Sequence, residues 1–276
     1  MKLFLKTKDF SVSGESFELH QDDEFDMLIT HPQPENLAKY YDSEVYISHT
    51  DSKTSLIDRL YQWVKGYSLK KKIQIIDNQI DKRSSLLDIG AGTGDFLRNA
   101  VLEGFETTGI EPNEKARTNA KQKGIILQQS LTDVKHAKFQ VITMWHVLEH
   151  LPNLQEQIME IAQLLESGGT LFVAVPNFKS FDSKYYGTYW AAFDVPRHLW
   201  HFSKHSIKRL FEKENMEVVS IKPMLFDAFY VSLLSEKYKG NPFYLFSAFF
   251  VGLWSNISAF FSKEYSSLIY VIKKKD

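Results

Sequence analysis

The chain has 276 residues, no cysteine and a formal net charge of −1, and 43% of its residues are hydrophobic. This length allows one large domain with additions, and the lack of cysteine excludes disulfides and thiolate metal sites. The near-neutral charge shows no excess of basic residues, so we expect no nucleic-acid partner. The first residues place lysines too close together for a signal peptide, and this predicts a cytoplasmic protein.

Two segments precede the main part of the chain. Residues 1–33 alternate weakly between apolar and polar positions around a turn signal at Ser13-Gly14-Glu15, which predicts a small β-ribbon. Residues 34–82 predict a polar segment rich in tyrosine, followed by a lead-in helix over 54–81. The polar segment includes Tyr46, and it is either a surface loop or a helical lid over a binding site. We interpret the run Lys70, Lys71 and Lys72 as the solvated face of the lead-in helix.

Residues 83–276 alternate between strand and helix patterns. Strands are predicted near 85–89, 106–111, 125–129, 139–145 and 169–175, with two final strands at 217–222 and 266–273. Helices are predicted near 94–103, 113–122, 154–165 and 204–214. This alternation predicts an α/β fold with a seven-stranded, mostly parallel sheet that has helices on both faces.

A glycine turn follows the first of these strands. The sequence over 86–94 is LLDIGAGTG, with glycines at Gly90, Gly92 and Gly94 and a carboxylate at Asp88. The order of strand, glycine turn and helix brings backbone N–H groups against a ligand, but the spacing differs from the dinucleotide fingerprint. Asp88 would suit a ligand that carries an ammonium group. Glu111 ends the second strand, where α/β nucleotide sites place a carboxylate on ribose hydroxyls.

Four motifs in this order resemble those of class I S-adenosylmethionine-dependent methyltransferases. They are LLDIGAGTG, GIEP over 109–112, FQVITMWHVLEHL over 139–151 and SGGTLFVAVP over 167–176. The LEHL and PN elements are similar to the branch with ubiquinone-biosynthesis O-methyltransferases. The resemblance covers residues 70–225 well. It implies a Rossmann-like class I fold in which the last strand runs antiparallel beside the fifth.

The resemblance also implies a cofactor site for S-adenosylmethionine. The residues expected to contact the cofactor are Asp88, Gly90, Ala91, Gly92, Gly94, Glu111, Pro112, Leu131, Thr132 and Trp145. Many relatives carry a zinc ribbon before a segment like Thr30-His31-Pro32. Asp22 and Phe25 stand where its cysteines would be, so residues 1–33 are interpreted as a degenerate, metal-free ribbon.

Histidines supply the candidate proton acceptors, because histidine titrates near neutral pH. His146 ends the fourth strand, and His198 and His201 lie in an aromatic segment over 185–202. We expect the base to be His146 or His198, with His201 as the third candidate. Trp190, Asp194 and Arg197 of the same segment are candidate acceptor-binding residues, together with Tyr46. An alternative stays open, in which Asp194 and Arg197 pair and the histidines brace the segment.

A metal is not expected, although one string allows it. His146-x-x-Glu149-His150 matches the H-x-x-E-H string of inverted zincin peptidases, but it directly follows a strand and lacks an evident third ligand. The favoured interpretation of His150 is a core histidine that bonds a backbone carbonyl. A weaker alternative is a divalent cation on Glu149 and His150 that orients a catechol-like acceptor.

An uncharged aromatic stretch over 240–262 lies within a helical insertion predicted at 226–262. Its length meets the minimum for a membrane span. We expect no span, because the strand at 266–273 must return to the sheet. Three uses stay open for the apolar face: a cap on the acceptor pocket, a homodimer contact, or a contact with a membrane that carries a lipophilic acceptor.

The leading functional hypothesis is methyl transfer to a small molecule, with a hydroxyl oxygen as the favoured acceptor. The alternative is an S-adenosylmethionine-binding module or scaffold without turnover, because fold does not fix chemistry.

Overall fold

The computed structural model describes residues 1–41 and 56–275. Its larger part is a six-stranded sheet with helices on both faces. The strands are β4 (Ser85–Ile89), β5 (Glu106–Ile110), β6 (Phe139–Trp145), β7 (Leu165–Pro176), β9 (Met216–Pro223) and β10 (Ser267–Lys274). Their spatial order is β5-β4-β6-β7-β10-β9, with β10 antiparallel to both of its neighbours. The expected α/β fold, with an antiparallel last strand beside the fifth, is confirmed.

The sheet has one strand fewer than predicted. The segment over 125–129 forms only an isolated parallel bridge between Ile110 and Gln128. Two backbone hydrogen bonds hold it, from Gln128 N–H to the Gly109 carbonyl at 2.8 Å and from Glu111 N–H to the Gln128 carbonyl at 3.0 Å. The segment therefore lies beside β5 at the sheet edge but is too short to continue the ladder.

Helices connect and cover the strands of this sheet. They are α1 (Leu56–Asp77), α2 (Asp95–Leu102), α3 (Glu114–Gln122), α4 (Leu154–Leu164), α5 (Phe181–Tyr186), α6 (Lys204–Glu212), α7 (Asp227–Tyr238) and α8 (Tyr244–Ser262). Two buried apolar clusters fill the faces of the sheet, one around Leu87 and Ile142 and the other around Leu86 and Phe172. Neighbouring residues of one strand thus pack into opposite layers, as the alternation of side chains along a strand requires.

A second, four-stranded antiparallel sheet contains the N-terminal residues. Its strands are β1 (Lys2–Lys8), β2 (Ser16–Asp22), β3 (Met27–His31) and β8 (Trp200–His201). The turn at Ser13-Gly14-Glu15 lies between β1 and β2, where the sequence predicted it. The fourth strand comes from the aromatic segment over 185–202, through the pairs Leu28–His201 and Ile29–Trp200. The N-terminal sheet is therefore completed by residues far along the chain.

Helices α7 and α8 form a hairpin between β9 and β10. In the part of the chain that the structure describes, α8 is the one helix whose length and composition would allow it to cross a membrane. However, β9 precedes the hairpin, β10 follows it, and the two strands pair with each other. A crossing by α8 alone would separate these neighbours, so its position in the fold supports the expectation of no span.

Candidate active site

The glycine turn between β4 and α2 leaves open space beside one of its residues. Gly90, Gly92 and Gly94 all have positive φ angles, of 73°, 53° and 75°. A Cβ on Gly92 would meet no described atom within 4 Å, whereas a Cβ on Gly90 would lie 2.4 Å from Cγ2 of Val147. Gly90 is thus required by packing against Val147, and Gly92 is the position that borders open space.

The carboxylate of Glu111 lies directly beside this turn. The N–H of Gly92 donates to its Oε2 at 2.8 Å, and the N–H of Asn113 donates to its Oε1 at 2.9 Å. A carboxylate offers about four lone-pair sites. Two sites on the half-buried Glu111 therefore stay available for hydroxyl donors.

Of the other predicted cofactor residues, Ala91 lies in the same turn, and Pro112, Leu131 and Thr132 follow β5 along the chain. Ala91 is buried and donates its N–H to the Ile110 carbonyl at 2.9 Å, and Pro112 is exposed. Leu131 and Thr132 lie in a short 3-10 turn that begins after Ser130. Leu131 packs against the core and Thr132 is exposed. Their contacts with a cofactor stay predictions.

A lysine that the sequence analysis assigned to solvent lies among carboxylates at the end of β4. Lys72 of α1 has its Nζ 4.3 Å from the ring centroid of Trp145, and the charges of Asp88 and Asp227 act on it. Burial lowers the pKa of Lys72 to about 8, against the opposing charges of the two carboxylates. The assignment was wrong because Leu69, Ile73 and Ile76 place Lys72 on the apolar face of the helix.

Asp88 is the buried member of this group. It is 2% exposed, and the hydroxyl of Thr143 donates to its Oδ1 at 2.6 Å. Burial raises the pKa of Asp88 to about 7, while Thr143 and Lys72 act in the opposite direction. The face of Trp145 and the charges of two carboxylates thus favour a cationic group here, which is the environment that an ammonium or sulfonium ligand requires. The indole Nε1 of Trp145 is buried without a hydrogen-bond partner among the described residues.

His146 is held between two carboxylates. Its Nε2 lies 3.1 Å from Oδ2 of Asp227, and its Nδ1 lies 3.4 Å from Oε1 of Glu149. Burial acts to lower the pKa of His146, but the two carboxylates outweigh it and raise the pKa to about 10. A protonated imidazole has no free lone pair. His146 is therefore a poor general base at neutral pH, and the hypothesis that assigned it this role is revised.

His201 belongs to the N-terminal sheet. It is buried, its Nε2 lies 3.0 Å from the hydroxyl of Thr30, and its ring packs edge-on against Phe193. Burial lowers the pKa of His201 well below its ordinary value. These contacts brace β8 against β3, so they favour the structural alternative over a catalytic role.

Glu149, His150 and His198 form a compact cluster. One ligand atom from each residue lies within 4.8 Å of the others. The Nδ1 of His198 lies 2.9 Å from the Ala192 carbonyl, and the Nδ1 of His150 lies 3.0 Å from the Arg197 carbonyl. The hydroxyl of Tyr41 also lies 2.9 Å from Nδ1 of His150. In the tautomers that donate to the two carbonyls, both Nε2 atoms carry lone pairs.

The carboxylate of Glu149 has an unusual environment within this cluster. It is 1% exposed, and its one close polar partner among the described residues is Nδ1 of His146, 3.4 Å from Oε1 and outside good hydrogen-bond geometry. Burial raises its pKa, but the neighbouring histidines outweigh burial and lower it, so the group is ionised. Burial lowers the pKa of His150 to about 4, so this imidazole is neutral. The cluster is therefore rich in acceptors, and it could bind a proton or a divalent cation.

A family model described as a methyltransferase domain matches residues 46–221, which is more than half of the chain. The chain belongs to the S-adenosylmethionine-dependent methyltransferases.

Named relatives of this methyltransferase share one description. The ubiquinone biosynthesis O-methyltransferase of Azoarcus sp. (strain BH72) is 27% identical over 158 residues, 51% of this chain and 68% of that protein. The protein of the same name from Aeromonas salmonicida (strain A449) is 34% identical over 102 residues, 33% of this chain and 43% of that protein. The second match spans less than half of the relative's length.

Solved structures share the fold of this methyltransferase. Magnesium protoporphyrin IX methyltransferase from Synechocystis PCC 6803 with bound SAH has a TM-score of 0.57 and 12% identity, over 85% of this chain and 97% of that chain. A SAM dependent methyltransferase from Archaeoglobus fulgidus has a TM-score of 0.52 and 17% identity, over 75% and 94% of the two chains. At these identities the likeness shows the fold alone.

The residues around the glycine turn fit S-adenosylmethionine. The open space at Gly92 leaves room for a ligand, and Glu111 has acceptor sites left for a ribose diol. The face of Trp145 and the charges of Asp88 and Asp227 already favour one cation, the ammonium of Lys72. When bound, the cofactor supplies an electrophilic methyl group on a sulfonium.

The predicted acceptor-binding residues of the methyltransferase have structural partners. Trp190 is 2% exposed, and its Nε1 donates to Oδ2 of Asp182 at 2.7 Å. The buried guanidinium of Arg197 donates to Asp194 at 2.6 and 2.9 Å and to Oδ1 of Asp9 at 3.0 Å. The alternative of an Asp194–Arg197 pair is thus the arrangement found, and neither Trp190 nor Arg197 is available to an acceptor. Tyr46 lies outside the described residues.

Removing this buried ion pair should destabilise the methyltransferase. Burial raises the pKa of Asp9, but hydrogen bonds from Arg197 and Ser13 outweigh it and bring the pKa to about 2. A lowered pKa stabilises the folded state above pH 3.8, and the contribution is lost as the pH falls toward about 2. Arg197→Met leaves Asp9 buried and unpaired, and we expect a loss of about 3–5 kcal/mol in the free energy of unfolding.

Urea denaturation measures this loss, and Arg83→Met is the matched control. Arg83 pairs with Asp77 on the surface, where its side chain is 37% exposed, so we expect a loss below about 1 kcal/mol. If the Arg197 variant had the same denaturation midpoint as the wild type but bound the acceptor more weakly, Arg197 would regain its predicted acceptor-binding role.

Proposed function

We propose that this methyltransferase transfers the methyl group of S-adenosylmethionine to a hydroxyl oxygen of a small, lipophilic acceptor. The observation that carries the proposal is the acceptor-rich cluster of Glu149, His150 and His198 beside His146, at the carboxyl end of β6. Ligands of open α/β sheets bind at this end of the strands. The names of the relatives, which are ubiquinone biosynthesis O-methyltransferases, support a hydroxyl acceptor and a lipophilic one.

The reaction is an in-line displacement at the methyl carbon. The acceptor oxygen forms the new C–O bond, the C–S bond breaks with its electron pair going to sulfur, and the hydroxyl proton passes to a base. Positioning of the two reactants supplies most of the rate enhancement in such a reaction. The protein must therefore orient the acceptor and take up one proton.

His198 is the remaining histidine for that proton, since His146 is already protonated and His201 is committed to the N-terminal sheet. Its Nδ1 faces the Ala192 carbonyl, which leaves Nε2 as the acceptor. Asp194 lies 3.9 Å from this Nε2, and Glu149 lies in the same cluster. These carboxylates would stabilise the imidazolium that forms, as the third group of a catalytic triad does.

A divalent cation on Glu149, His150 and His198 is the second candidate for this cluster. Two observations favour it: the Glu149 carboxylate, whose one close polar partner in the described parts of the chain is His146 at 3.4 Å, and the two Nδ1 atoms directed at backbone carbonyls. Metal-ligating histidines commonly donate their other ring N–H in this way. Such a cation would lower the pKa of a bound hydroxyl. The sequence-based prediction of no metal therefore needs a direct test.

Turnover with hydroxylated acceptors tests the proposed function. The purified chain is incubated with S-adenosylmethionine and phenolic or catecholic acceptors of graded lipophilicity, and S-adenosylhomocysteine is measured. We expect turnover that depends on the acceptor hydroxyl and is lost when a methoxy or hydrogen group replaces it. Cofactor binding without turnover on any hydroxylated acceptor would instead favour the binding module.

We also propose four features that the sequence led us to expect. They are the division of the chain into 1–33, 34–82 and 83–276, the metal-free ribbon origin of the N-terminal sheet, the cytoplasmic location and the absence of a nucleic-acid partner.

A further inference from the structure

The hairpin of α7 and α8 has its small residues inside and its large ones outside. The buried positions of α8 are Ala248, Gly252, Ser255 and Ala259, whose spacing of three and four residues places them on one face. A Cβ on Gly252 would lie 3.0 Å from Cα of Phe229 and 3.1 Å from the Ala228 carbonyl oxygen. The two helices therefore approach each other closely through small side chains.

The outward face of α8 is aromatic. Six aromatic side chains of this helix are between 49% and 79% exposed: Phe246, Phe249, Phe250, Trp254, Phe260 and Phe261. A surface helix of a soluble domain normally turns its large apolar residues inward. Contiguous exposed apolar patches of this kind mark interaction sites.

Polar contacts fix the inner side of α8 to the protein. The hydroxyl of Ser255 donates to Oδ1 of the buried Asp182 at 2.7 Å. The side-chain amide of Asn256 donates to the Leu225 carbonyl at 2.9 Å. These bonds and the pairing of β10 hold α8 in place. A partner can therefore contact only the aromatic face of α8.

Positive charges lie at both ends of the aromatic face. Residues 240–262 carry no charge, while Lys237 precedes them and Lys263 follows. The neighbouring acids are engaged: Glu236 is 1% exposed and lies 3.5 Å from Nζ of Lys239, and Glu264 pairs with Lys204 at 2.9 Å. Aromatic rings flanked by lysines are the composition of helices that lie at the interface of an anionic bilayer.

A second copy of the chain fits this face less well. A twofold dimer brings the same patch together from both copies. With the helices antiparallel, the Lys237 end of one copy would meet the Lys263 end of the other, and with the helices parallel each lysine would meet its own copy. Like charges would adjoin in both cases, whereas anionic headgroups would attract both ends.

We propose that α8 docks on the surface of an anionic membrane, with its axis parallel to the bilayer and its aromatic rings at the boundary between headgroups and acyl chains. The helix is about 28 Å long at 1.5 Å per residue, so Lys237 and Lys263 would contact headgroups at well-separated points. This surface is independent of the proposed acceptor, and the docking holds whatever molecule the enzyme methylates.

Liposome flotation of the full chain tests the docking. Vesicles of phosphatidylcholine are compared with vesicles that also contain phosphatidylglycerol, and the protein in the floated fraction is measured. We expect the wild type to float with the anionic vesicles. In the Phe249→Asp, Phe250→Asp variant the amount of floated protein should fall by at least about tenfold. Phe261→Asp, which changes the most exposed ring of α8, should also lower the amount of floated protein. Lys237→Gln, Lys263→Gln should lose the preference for anionic vesicles.

The matched control is Val101→Asp, Leu102→Asp. These neighbours on α2 are 47% and 78% exposed, and their replacement adds the same two charges on another face. Flotation of this control should equal that of the wild type. A wild type that stays in the aqueous fraction with both vesicles overturns the proposal, as does an equal loss in the control. Light scattering that shows a dimer, abolished by Phe261→Asp in protein that does not float, assigns the face to a second copy instead.

Discussion

Gly92→Val should abolish measurable cofactor binding, with a loss of affinity of at least about 100-fold. Gly92 has a φ of 53°, and a β-branched residue in that region costs about 1–3 kcal/mol. Its side chain would also fill the open space beside Glu111, where the cofactor is expected. Calorimetric titration with S-adenosylhomocysteine measures the effect directly.

Gly104→Val is the matched control for backbone strain. Gly104 has a φ of 90° and equally open surroundings, but it follows the end of α2 that is opposite the turn. Its affinity for S-adenosylhomocysteine should equal that of the wild type. Gly90→Val is a poor probe, because its side chain would collide with Val147 and disturb the fold. An unchanged affinity in a folded Gly92 variant would remove the glycine turn from the cofactor site.

His198→Ala should lower kcat by roughly 10²–10⁴-fold while the affinity for S-adenosylhomocysteine stays unchanged. The range is that of general base catalysis by a positioned side chain. Single-turnover kinetics at saturating cofactor separates this loss from slow product release. His201→Ala should retain kcat, because its Nε2 faces Thr30 rather than the cluster.

Chelation distinguishes the two candidate roles of the cluster. If His198 is the base, EDTA leaves turnover unchanged. A loss with EDTA that magnesium, manganese or zinc restores would show that the cluster holds a cation, and Glu149→Gln should then resist that restoration. Glu160→Gln, at an exposed position of α4, controls for the loss of one negative charge. Normal turnover in both the His198 and the Glu149 variants would leave positioning alone as the source of catalysis.

The parts of the fold that depend on local pattern could be predicted from the sequence. The apolar run before Gly90 and the glycines after it define a strand, a turn and a helix within a few residues of each other. The segment over 125–129 also begins with apolar residues, yet it forms only one bridge, to Ile110. Ile110 is the last residue of β5, so the neighbouring strand ends where the segment would pair with it.

The electrostatic part of the site could not be predicted in this way. The residues next to His146 in the sequence do not identify Asp227 as its partner. The hairpin of α7 and α8 brings Asp227 to Nε2 of His146. Lys72 follows two lysines that indicate solvent, although its spacing from Leu69 and Ile76 is that of a buried position. Arg197 has the chemistry of an anion binder, but Asp9 reaches it from the opposite end of the chain. For His146 and Arg197 the partner that decides the role is remote in sequence.

The pairing of β3 with β8 also determines the order in which the molecule can be assembled. Leu28 and Ile29 leave the ribosome early, but their partners His201 and Trp200 are synthesised about 170 residues later. Closing so long a loop carries an entropic cost that other contacts of the folded chain must offset. The N-terminal sheet therefore cannot be completed before residues 200 and 201 have been made, and until then the edge of β3 is open to other chains.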